Sequence, residues 1–349
     1  MRKKLPIVIV NWNGTNDTIE CIKSILCSDT SLFHIYLIDN ASEQKQITLL
    51  EEEFGNNSEI TIIKNPRNIG FTKAHNEVWI NQIRGLGTDY IALINNDTVI
   101  EQNAISEARN CAHKNKADMV SFKMIQFEER KKIDTIGHKM LTSGEIIPIG
   151  YNSPCNEHNE SFEHIGPSAG ACLYKVSCLE KIGFFDDFFD TGYEDAEFGF
   201  RAFITGHKLI FCPNAVIYHK GGQSIKKIYN INYSIKILRN IRYTVYKLYP
   251  YPLLILHGLF DLTRSVLIII ISLIFFKWKY IKIVFLSLKY FFTEDLKKAV
   301  AARKQFKKDN KTIGSFDIWT SQQPTLTYDL YRAYSFFIKR ESSAMDSYR

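Results

Sequence analysis

The side chains with the clearest chemical potential follow a short apolar stretch in the first third of the chain. Asn95, Asn96 and Asp97 come directly after residues 90–94, which are mostly apolar and unbroken. Such a run predicts a strand buried on both faces, as in parallel sheets covered by helices. In open α/β sheets the carboxyl ends of these strands border the ligand-binding crevice. The pattern therefore indicates two amides and a carboxylate that face a ligand.

A purely structural interpretation of these three residues is also open at this point. Asn and Asp are common in turns, and Asp97 would be a suitable cap for a helix that begins near Glu101. The positions of the other polar residues in the sequence are needed to distinguish between the two interpretations.

A second group of candidate residues lies in the segment Thr191-Gly192-Tyr193-Glu194-Asp195. From Asp195 onward the apolar residues have helical spacing, so both acids start a predicted helix, where the dipole and free backbone N–H groups favour carboxylates. This placement explains them structurally. In the functional interpretation, one of them is a general base that is ionised at neutral pH. Glu197 precedes Arg201 by four residues, which predicts an ion pair within the helix.

Two further positions are ambiguous from their residue types alone. His219 ends a short predicted strand, and a lone histidine there is more often solvated than a metal ligand. Gly170 and Ala171 belong to a small-residue stretch that would let either a ligand or a packed helix approach the backbone closely.

The elements that must position these residues alternate between strand and helix. Four apolar runs separated by amphipathic helical patterns predict a right-handed, mostly parallel, doubly wound α/β sheet. The runs are residues 7–10, 35–38, 60–63 and 90–94. Parallel strands share one carboxyl edge, so the polar residues that follow them are expected to lie together. Besides those at 95–97, these are Asn11, Asn13, Asp39, Asn40, Arg67, Asn68 and Gly70. After a strand near residues 119–122 the alternation stops, and residues 123–167 are expected to form hairpins or a loop.

Charge divides the chain into two parts. Residues 1–219 contain 21 Lys and Arg against 29 Asp and Glu, whereas residues 220–349 contain 23 against 8. A basic, aromatic tail on an acidic body suits an anionic membrane surface, and nucleic acid is the other common partner of such charge. The seven Cys residues include no C-x-x-C pair, so neither a zinc knuckle nor a disulfide framework is indicated, and a reducing cytosol fits best.

The tail itself contains apolar stretches between residues 250 and 292. The unbroken apolar part is too short for a membrane span of ~20 residues, and Asp261 and Arg264 would lie inside any longer one. We expect amphipathic helices that lie at a membrane surface, with a buried dimer interface as the alternative.

The sequence lacks the motifs of two other enzyme classes that have a similar sheet. The residues after the first run, Asn11-Trp12-Asn13-Gly14, are not the Gly-rich phosphate loop that a nucleotidyltransferase needs. A dehydrogenase is disfavoured because no G-x-G-x-x-G follows a predicted strand.

Six stretches, taken together and in their order, resemble inverting glycosyltransferases of family 2 with the GT-A fold, especially the rhamnosyltransferase-like and galactofuranosyltransferase-like branch. The stretches are IVIVNWNG (7–14), LIDNAS (37–42), NPRNIGF (65–71), LINNDT (93–98), GYEDAEFGFR (192–201) and AVIYH (215–219). The resemblance implies a GT-A domain over residues 1–245, with a nucleotide-binding half over 1–115 and an acceptor and catalytic half over 116–245. Residues 246–349 would form a helical extension that associates with a membrane.

The resemblance also implies roles for single residues. Asp39 would accept a hydrogen bond from a uracil or thymine base. Asp97 would bind a divalent cation, Mn²⁺ or Mg²⁺, on the diphosphate, with His219 as the second protein ligand. Asp195, next to Glu194, would be the general base. The other implied donor-binding residues are Asn11, Asn13, Asn40, Arg67, Asn68, Gly70, Asn76 and Asn96, and the implied sugar or acceptor contacts are Gly170, Ala171, Tyr193 and Glu194. Asn95 and Asn96 are neutral where many family members carry Asp, which predicts a weaker, more Mn²⁺-tolerant site.

The implied reaction moves a sugar from a nucleoside diphosphate to a glycan or lipid-linked acceptor in the synthesis of surface polysaccharide or lipopolysaccharide. The donor would be dTDP-rhamnose or else a UDP-sugar, and the enzyme would be cytoplasmic and peripheral at the membrane. Nucleic acid is not among the implied partners, and a homo-oligomer is left open. The alternative is a non-catalytic, membrane-docked nucleotide-sugar or carbohydrate-binding protein, which would keep Asp39 and Asp97 without using Asp195.

Overall fold

The computed structural model describes residues 3–221 and 230–337, and these form two compact units. The first unit consists of the described parts of Met1–His138 and Pro148–Gln223. The second unit consists of Lys139–Ile147 and the described part of Ser224–Arg349. The functional division of residues 1–245 at residue 115 stays a prediction.

The first unit begins with the predicted alternation of strands and helices. These elements are β1 (Leu5–Asn11), α1 (Thr15–Leu26), β2 (Phe33–Asp39), α2 (Gln44–Phe54), β3 (Ile60–Lys64), α3 (Phe71–Val78) and β4 (Tyr90–Ile94). Short helical turns at Thr30–Leu32 and Trp79–Ile83 complete two of the connections. All four strands were expected from their apolar runs, and the run at residues 90–94 is buried at every position.

Further strands and three more helices follow. They are β5 (Thr98–Ile100), α4 (Ala104–Asn115), β6 (Met119–Gln126), β7 (Ile133–Thr135), β8 (His138–Met140), β9 (Ile146–Pro148), β10 (Ala171–Lys175), α5 (Val176–Ile182), α6 (Glu194–Ile204) and β11 (Leu209–His219). The hairpin strands expected within residues 123–167 correspond to β7, β8 and β9. Strands β8 and β9 pair with each other in a separate two-stranded sheet.

The main sheet has the order β3-β2-β1-β4-β10-β6-β11-β5, with β7 also paired to β6. Strands β1–β4 are parallel, which confirms the prediction for this half. Strand β10 is antiparallel to both β4 and β6, so the second half of the sheet is mixed. The whole is an α/β sheet of the GT-A type, as expected.

Both faces of this sheet are buried, which is why its strands are apolar throughout. On β1, Ile7 and Ile9 pack in a cluster with residues of α1, α2 and α4, whereas Val8 belongs to a cluster with residues of α3, α5 and α6. The sheet therefore lies between two helical layers, as the doubly wound pattern predicts.

Helix α6 lies unusually close to the segment that precedes β10. A Cβ atom on Gly199 of α6 would lie 2.5 Å from the Cα atom of Gly166 and 2.9 Å from the carbonyl oxygen of Ile165. Both contacts are to backbone atoms, which cannot yield by a side-chain rotation. Glycine at residue 199 thus allows α6 to pack directly against the backbone of Ile165 and Gly166.

We expect Gly199→Ala to destabilise the protein by about 1–3 kcal/mol, because the added methyl group forces a backbone shift in a packed region. Urea denaturation measures this change. The matched control is Gly258→Ala, a helical glycine whose added Cβ would meet no atom within 4 Å, and we expect this variant to be at least as stable as the unaltered protein. Equal stabilities of the two variants would contradict the close packing.

In its described residues the second unit consists of helices and their connections, together with the hairpin residues Lys139–Ile147. Its helices are α7 (Ile231–Leu248), α8 (Tyr251–Ile274), α9 (Trp278–Tyr290), α10 (Leu296–Asp309), α11 (Ser315–Thr320) and α12 (Thr325–Phe337), with a π-helical turn at Phe291–Asp295. In the described residues α8 is the one helix that is long and apolar enough to cross a membrane by length and composition. Helix α8 is continuous over 24 residues and includes Asp261 and Arg264. It is therefore longer than the unbroken apolar run in the sequence, which these two charged residues limit.

Candidate active site

The loop after β1 is held by Asn11, which is completely buried. Its Nδ2 atom donates to Asp39 Oδ1 at 2.9 Å and to Ser42 Oγ at 3.1 Å. Its Oδ1 atom accepts from the backbone N–H of Gly14 at 3.1 Å and from Thr18 Oγ1 at 2.9 Å. Asn11 therefore uses its whole amide to join the ends of two parallel strands.

Asp39 is also completely buried and fixes the loop after β2. Its second carboxylate oxygen, Oδ2, accepts from the backbone N–H of Ser42 at 2.9 Å. Asn13, at a positive φ of 54°, accepts at Oδ1 from the backbone N–H of Glu43 at 2.8 Å. A carboxylate has about four lone-pair sites, so the two bonds that Asp39 accepts, from Asn11 and Ser42, leave capacity for a further donor. The contact of Asp39 with a nucleobase stays a prediction.

The loop after β3 is tied to β2 through Asn40. Its Nδ2 atom donates to Asn68 Oδ1 at 2.9 Å, and its Oδ1 atom accepts from Asn65 Nδ2 and from the backbone N–H of Ile69, both at 3.1 Å. The loop ends at Gly70, whose φ of 84° favours glycine. Arg67, between these contacts, is exposed.

Helix α3 connects this edge to the loop that precedes α6. Asn76 Nδ2 donates to the carbonyl oxygen of Phe185 and to Asp187 Oδ1, both at 2.9 Å. The backbone N–H of Phe71 donates to the carbonyl oxygen of Asp190 at 3.1 Å. Two distant parts of the sequence thus meet beside the predicted nucleoside pocket.

Asn96 joins the loop after β4 to the loop after β1. Its Nδ2 atom donates to Thr18 Oγ1 at 3.0 Å, and that hydroxyl itself donates to Asn11. A Cβ atom on Gly14 would lie 2.7 Å from Asn96 Nδ2, so a larger residue there would displace this amide. Through Thr18, the side-chain amides of Asn11 and Asn96 therefore join the loops after β1 and β4 in one hydrogen-bonded network at the carboxyl edge.

Asp97 and His219 lie side by side. His219 Nε2 is 3.3 Å from Asp97 Oδ1, and its Nδ1 is 2.8 Å from Asp134 Oδ2. Burial alone would lower the pKa of His219, but the two carboxylates outweigh it and raise the pKa to about 10. The side chain of His219 is only 14% exposed and has a carboxylate next to each ring nitrogen, so the interpretation of His219 as a solvated residue is wrong.

The sheet explains this arrangement. Strands β11 and β5 are antiparallel with His219 opposite Thr98, which brings the ring next to Asp97. Strand β7 pairs with β6 and carries Asp134 to the other ring nitrogen. The alternative that Asp97 caps the following helix is also wrong, because α4 begins at Ala104 with Asn103 at its N-cap.

The residue types at Asp97 and His219 fit a divalent cation that completes its coordination from a ligand. In residues 3–221 and 230–337 no group of three or more His, Cys, Asp and Glu side chains could hold a metal ion by itself. One carboxylate and one imidazole are a sufficient protein contribution where phosphate oxygens supply the remaining ligands. Asp134 contacts the second ring nitrogen of His219 at 2.8 Å, and a carboxylate at this position commonly orients the histidine in metal sites.

Asp195 lies in the first turn of α6, where its carboxylate is fixed by two backbone N–H groups. Oδ2 accepts from Ala169 at 3.0 Å, and Oδ1 accepts from Ala196 at 2.7 Å. The residue before the helix is Tyr193, which caps it with a positive φ of 85°. Glu194, beside Asp195, is buried. The predicted ion pair between Glu197 and Arg201 is confirmed at 3.0 Å.

The short segment 168–171 connects Asp195 to the loop that contains Asp97. Ala169 donates to Asp195, and the next carbonyl oxygen, that of Gly170, accepts from the backbone N–H of Asn95 at 2.9 Å. Ala171 then starts β10 opposite Ile94 of β4. A continuous set of bonds therefore runs from Asp39 through the amide network and residues 95–97 to Asp195.

Two buried side chains near Asp195 were not predicted from the sequence. His138 interacts electrostatically with Asp195, and burial lowers the pKa of this histidine. Tyr174 of β10 interacts with both Asp195 and Glu194, and burial raises the pKa of its hydroxyl well above the usual value. Neither residue belongs to a recognisable motif. Backbone bonds to Ile165 and Gly166 place His138 here, and the pairing of β10 with β4 and β6 places Tyr174.

The mixed sheet and the polar residues along its carboxyl edge define an α/β protein of the GT-A type. The model of the glycosyltransferase-like family 2 matches residues 3–232 of the 349. The chain belongs to this family. No protein with a curated description matches it.

Solved structures with a similar fold share few residues with the chain. One is GalNAc-T7, solved with UDP, GalNAc and Mn²⁺, with a TM-score of 0.56 and 15% identity over 70% of this chain and 48% of that one. Another is residues 1–349 of TarS from S. aureus in complex with UDP-GlcNAc, with a TM-score of 0.49 and 14% identity over 70% of this chain and 66% of that one. The chain thus spans about half of GalNAc-T7 and slightly less than two thirds of the TarS chain.

Proposed function

We propose that this protein is an inverting glycosyltransferase that moves a sugar from a nucleoside diphosphate to an acceptor hydroxyl. The observation that carries the proposal is the segment 168–171, which bonds both to Asp195 and to the loop that presents Asp97. A base for the acceptor at Asp195 and a carboxylate for the diphosphate at Asp97 would then belong to one site. Membership of the glycosyltransferase-like family 2 supports the same reaction class.

The donor would lie along the edge formed by the first three strand ends. Asp39 would accept from the base, while Asn13, Arg67, Asn68 and Asn76 would line the nucleoside pocket. Asn40, Gly70 and Asn96 would also border the donor, and Asn11, whose amide is fully bonded to protein atoms, would act by holding the loops that bind it. Our first candidate is dTDP-rhamnose because of the resemblance to rhamnosyltransferases, and a UDP-sugar is the other, because GalNAc-T7 was solved with UDP.

Asp97 and His219 would hold a divalent cation, Mn²⁺ or Mg²⁺. When bound, such a cation neutralises negative charge on the departing diphosphate. GalNAc-T7, which has a similar fold, was solved with Mn²⁺. The ring of His219 would have to lose its Nε2 proton to act as a ligand, so cation binding at this position would release a proton.

Asp195 would accept the proton of the acceptor hydroxyl as the oxygen attacks the anomeric carbon and the diphosphate leaves. The backbone N–H groups of Ala169 and Ala196 hold the carboxylate in one orientation, so it needs no reorganisation when the acceptor binds. Gly170, Ala171, Tyr193 and Glu194 would border the sugar and the acceptor. Attack on the face opposite the diphosphate inverts the anomeric centre.

The acceptor would be a glycan or a lipid-linked saccharide of surface polysaccharide or lipopolysaccharide synthesis. The second unit would hold the enzyme at the cytoplasmic face of a membrane. Its basic composition and its apolar helix α8 support this location.

A panel of UDP-, dTDP- and GDP-sugars tests the proposal directly. We expect the protein to consume at least one of them, faster with Mn²⁺ than with a chelator, and to release the nucleoside diphosphate. Binding of nucleotide sugars with no turnover on any acceptor would instead favour the non-catalytic binding protein.

We expect Asp134→Ala to weaken the Mn²⁺-dependent binding of the nucleoside diphosphate by about 10- to 100-fold, because the ring of His219 loses the carboxylate that orients it. Isothermal titration of the diphosphate with and without Mn²⁺ measures this directly. Glu157→Ala, which removes an exposed carboxylate elsewhere in the first unit, is the matched control. Unchanged Mn²⁺ dependence in Asp134→Ala would contradict the role of His219.

A further inference from the structure

Helix α8 has the reverse of the residue pattern of a soluble surface helix. Its four buried residues are Leu253, His257, Ser265 and Ser272, three of which are polar. Its exposed large apolar residues are Tyr251, Ile255, Leu256, Leu259, Phe260, Leu262, Val266, Leu267, Ile270, Ile271, Leu273 and Ile274. A soluble helix would bury the apolar set and expose the polar one.

The charged residues of α8 are fixed by ion pairs within the second unit. Asp261 Oδ2 accepts from Arg242 Nε of α7 at 2.8 Å. Arg264 donates to Glu145 Oε1 at 2.5 Å, and Glu145 is almost fully buried. Because its charges have partners on one side, the helix is held with its polar side inward. Its apolar side, called here the α8 face, cannot turn inward without breaking these pairs.

The exposure of the α8 face is large. Ile255, Leu259 and Ile274 are 66%, 62% and 63% exposed, and Phe276, just beyond the helix, is 77% exposed. Soluble monomeric proteins rarely expose a contiguous apolar surface of this kind. The face extends over 24 residues, or about 36 Å at ~1.5 Å per residue.

Basic and aromatic residues follow the α8 face directly. Lys277, Lys279, Lys282 and Lys289 are exposed in the described part of the chain, as is Trp278. Lysine and tryptophan are the residues that concentrate where hydrocarbon meets lipid headgroups. Their charge suits anionic phospholipids.

We propose that α8 lies in the plane of an anionic phospholipid bilayer, with the α8 face in the acyl region and the lysines from residue 277 onward against the headgroups. This deepens the proposed function, on which it rests for the membrane location. A helix in the plane fits better than a spanning one, because the polar side from His257 to Ser272 is covered by protein along most of its length. A second copy of the chain is the less suitable partner, since the one acid of α8, Asp261, already pairs with Arg242 and the helix offers these lysines no other carboxylate.

Sedimentation of the full-length protein with lipid vesicles tests this proposal. The probes are vesicles of phosphatidylcholine alone and of phosphatidylcholine with about 30% phosphatidylglycerol. We expect strong binding to the anionic vesicles and weak binding to the neutral ones. Leu259→Glu combined with Ile270→Glu should reduce binding by about tenfold or more, because both side chains lie on the α8 face.

The matched control is Ile80→Glu, which places a carboxylate at an apolar side chain of the first unit that is 57% exposed. This control should bind vesicles as the unaltered protein does. Unchanged vesicle binding of the α8 double variant would overturn the proposal. The proposal would also be overturned if the unaltered protein did not bind vesicles but formed a dimer in solution, and if the α8 double variant were monomeric.

Nucleotide-sugar turnover in solution, measured on the same preparations, separates this proposal from the proposed function. The α8 double variant should keep turnover with a soluble acceptor while it loses vesicle binding. A protein that binds anionic vesicles through the α8 face but turns over no nucleotide sugar would support the membrane surface and overturn the glycosyltransferase proposal.

Discussion

Replacing Asp195 with asparagine is expected to lower the turnover number by about 10²- to 10⁴-fold, the usual contribution of a positioned general base. Asparagine has nearly the same shape, and its side-chain oxygen can still accept from the backbone N–H of Ala169, so the loop stays in place. It cannot take up the proton of an acceptor hydroxyl. Steady-state kinetics with the donor identified from the nucleotide-sugar panel measure this loss.

Donor binding is the informative counterpart of that experiment. The affinity of the Asp195→Asn variant for the nucleoside diphosphate should stay within about twofold of the unaltered protein, since Asp195 would act on the acceptor. Glu180→Gln, on the exposed side of α5, is the control and should change neither quantity. Near-normal turnover in Asp195→Asn would exclude it as the base and favour a binding protein.

The second large effect is expected from Glu197→Ala, which should lower the free energy of unfolding by about 3–5 kcal/mol. Glu197 is fully buried and Arg201 nearly so, and they pair at 3.0 Å. Arg201 also donates to the carbonyl oxygens of Ile182 and Phe184, both at 2.5 Å. Without Glu197 the guanidinium group stays buried between these carbonyls without its counter-ion. Urea denaturation monitored by circular dichroism measures the change.

A surface pair of the same chemical type is the matched control. Glu129 pairs with Lys132 three residues later at 2.5 Å, and both side chains are more than 40% exposed. Glu129→Ala should cost less than about 1 kcal/mol, because water solvates either charge alone. Similar losses for the two variants would mean that burial does not set the strength of the Glu197 pair. Because α6 begins with Glu194 and Asp195, loss of this pair also loosens the support of the proposed base.

The parts of the fold that the sequence predicted are those with local signals. Strands β1–β4 follow from apolar runs bounded by turn residues, and their parallel arrangement follows from the helices between them. The alignment of Asn11, Asp39 and Asn96 at one edge follows from the same rule. The acids at Glu194 and Asp195 were recognised because a helix start favours them for both structural and chemical reasons.

The residues that escaped the sequence analysis are placed by non-local pairing. Asp134 meets His219 only because β7 folds back onto β6, and no spacing in the sequence links them. The antiparallel entry of β10 between β4 and β6 was likewise not predicted, although it carries the segment that joins Asp195 to Asn95. In the sequence Gly166 and Gly199 resemble an ordinary loop glycine and an ordinary helix glycine. Only the structure shows that their backbones are in close contact.

Helix α8 of the second unit shows how the pairing of buried charges can change an interpretation that was based on composition. Asp261 and Arg264 interrupt the apolar run, so the sequence predicted an apolar part too short for a membrane span and amphipathic helices at a membrane surface. In the structure both are paired within the second unit, so one continuous helix carries a polar side inward and an apolar side outward. The partners of Asp261 and Arg264 are Arg242 and Glu145. Both are too distant in the sequence for these ion pairs to be predicted from spacing.

The central claim is that one site holds the donor diphosphate at Asp97 and the attacking hydroxyl at Asp195. A crystal structure with Mn²⁺ and an uncleavable analogue of the donor measures this most directly. The account predicts the cation between Asp97, His219 and the diphosphate, with the anomeric carbon facing an open position beside Asp195. A nucleotide bound away from the carboxyl edge of the sheet, or a sugar whose reacting face is turned from Asp195, would contradict it.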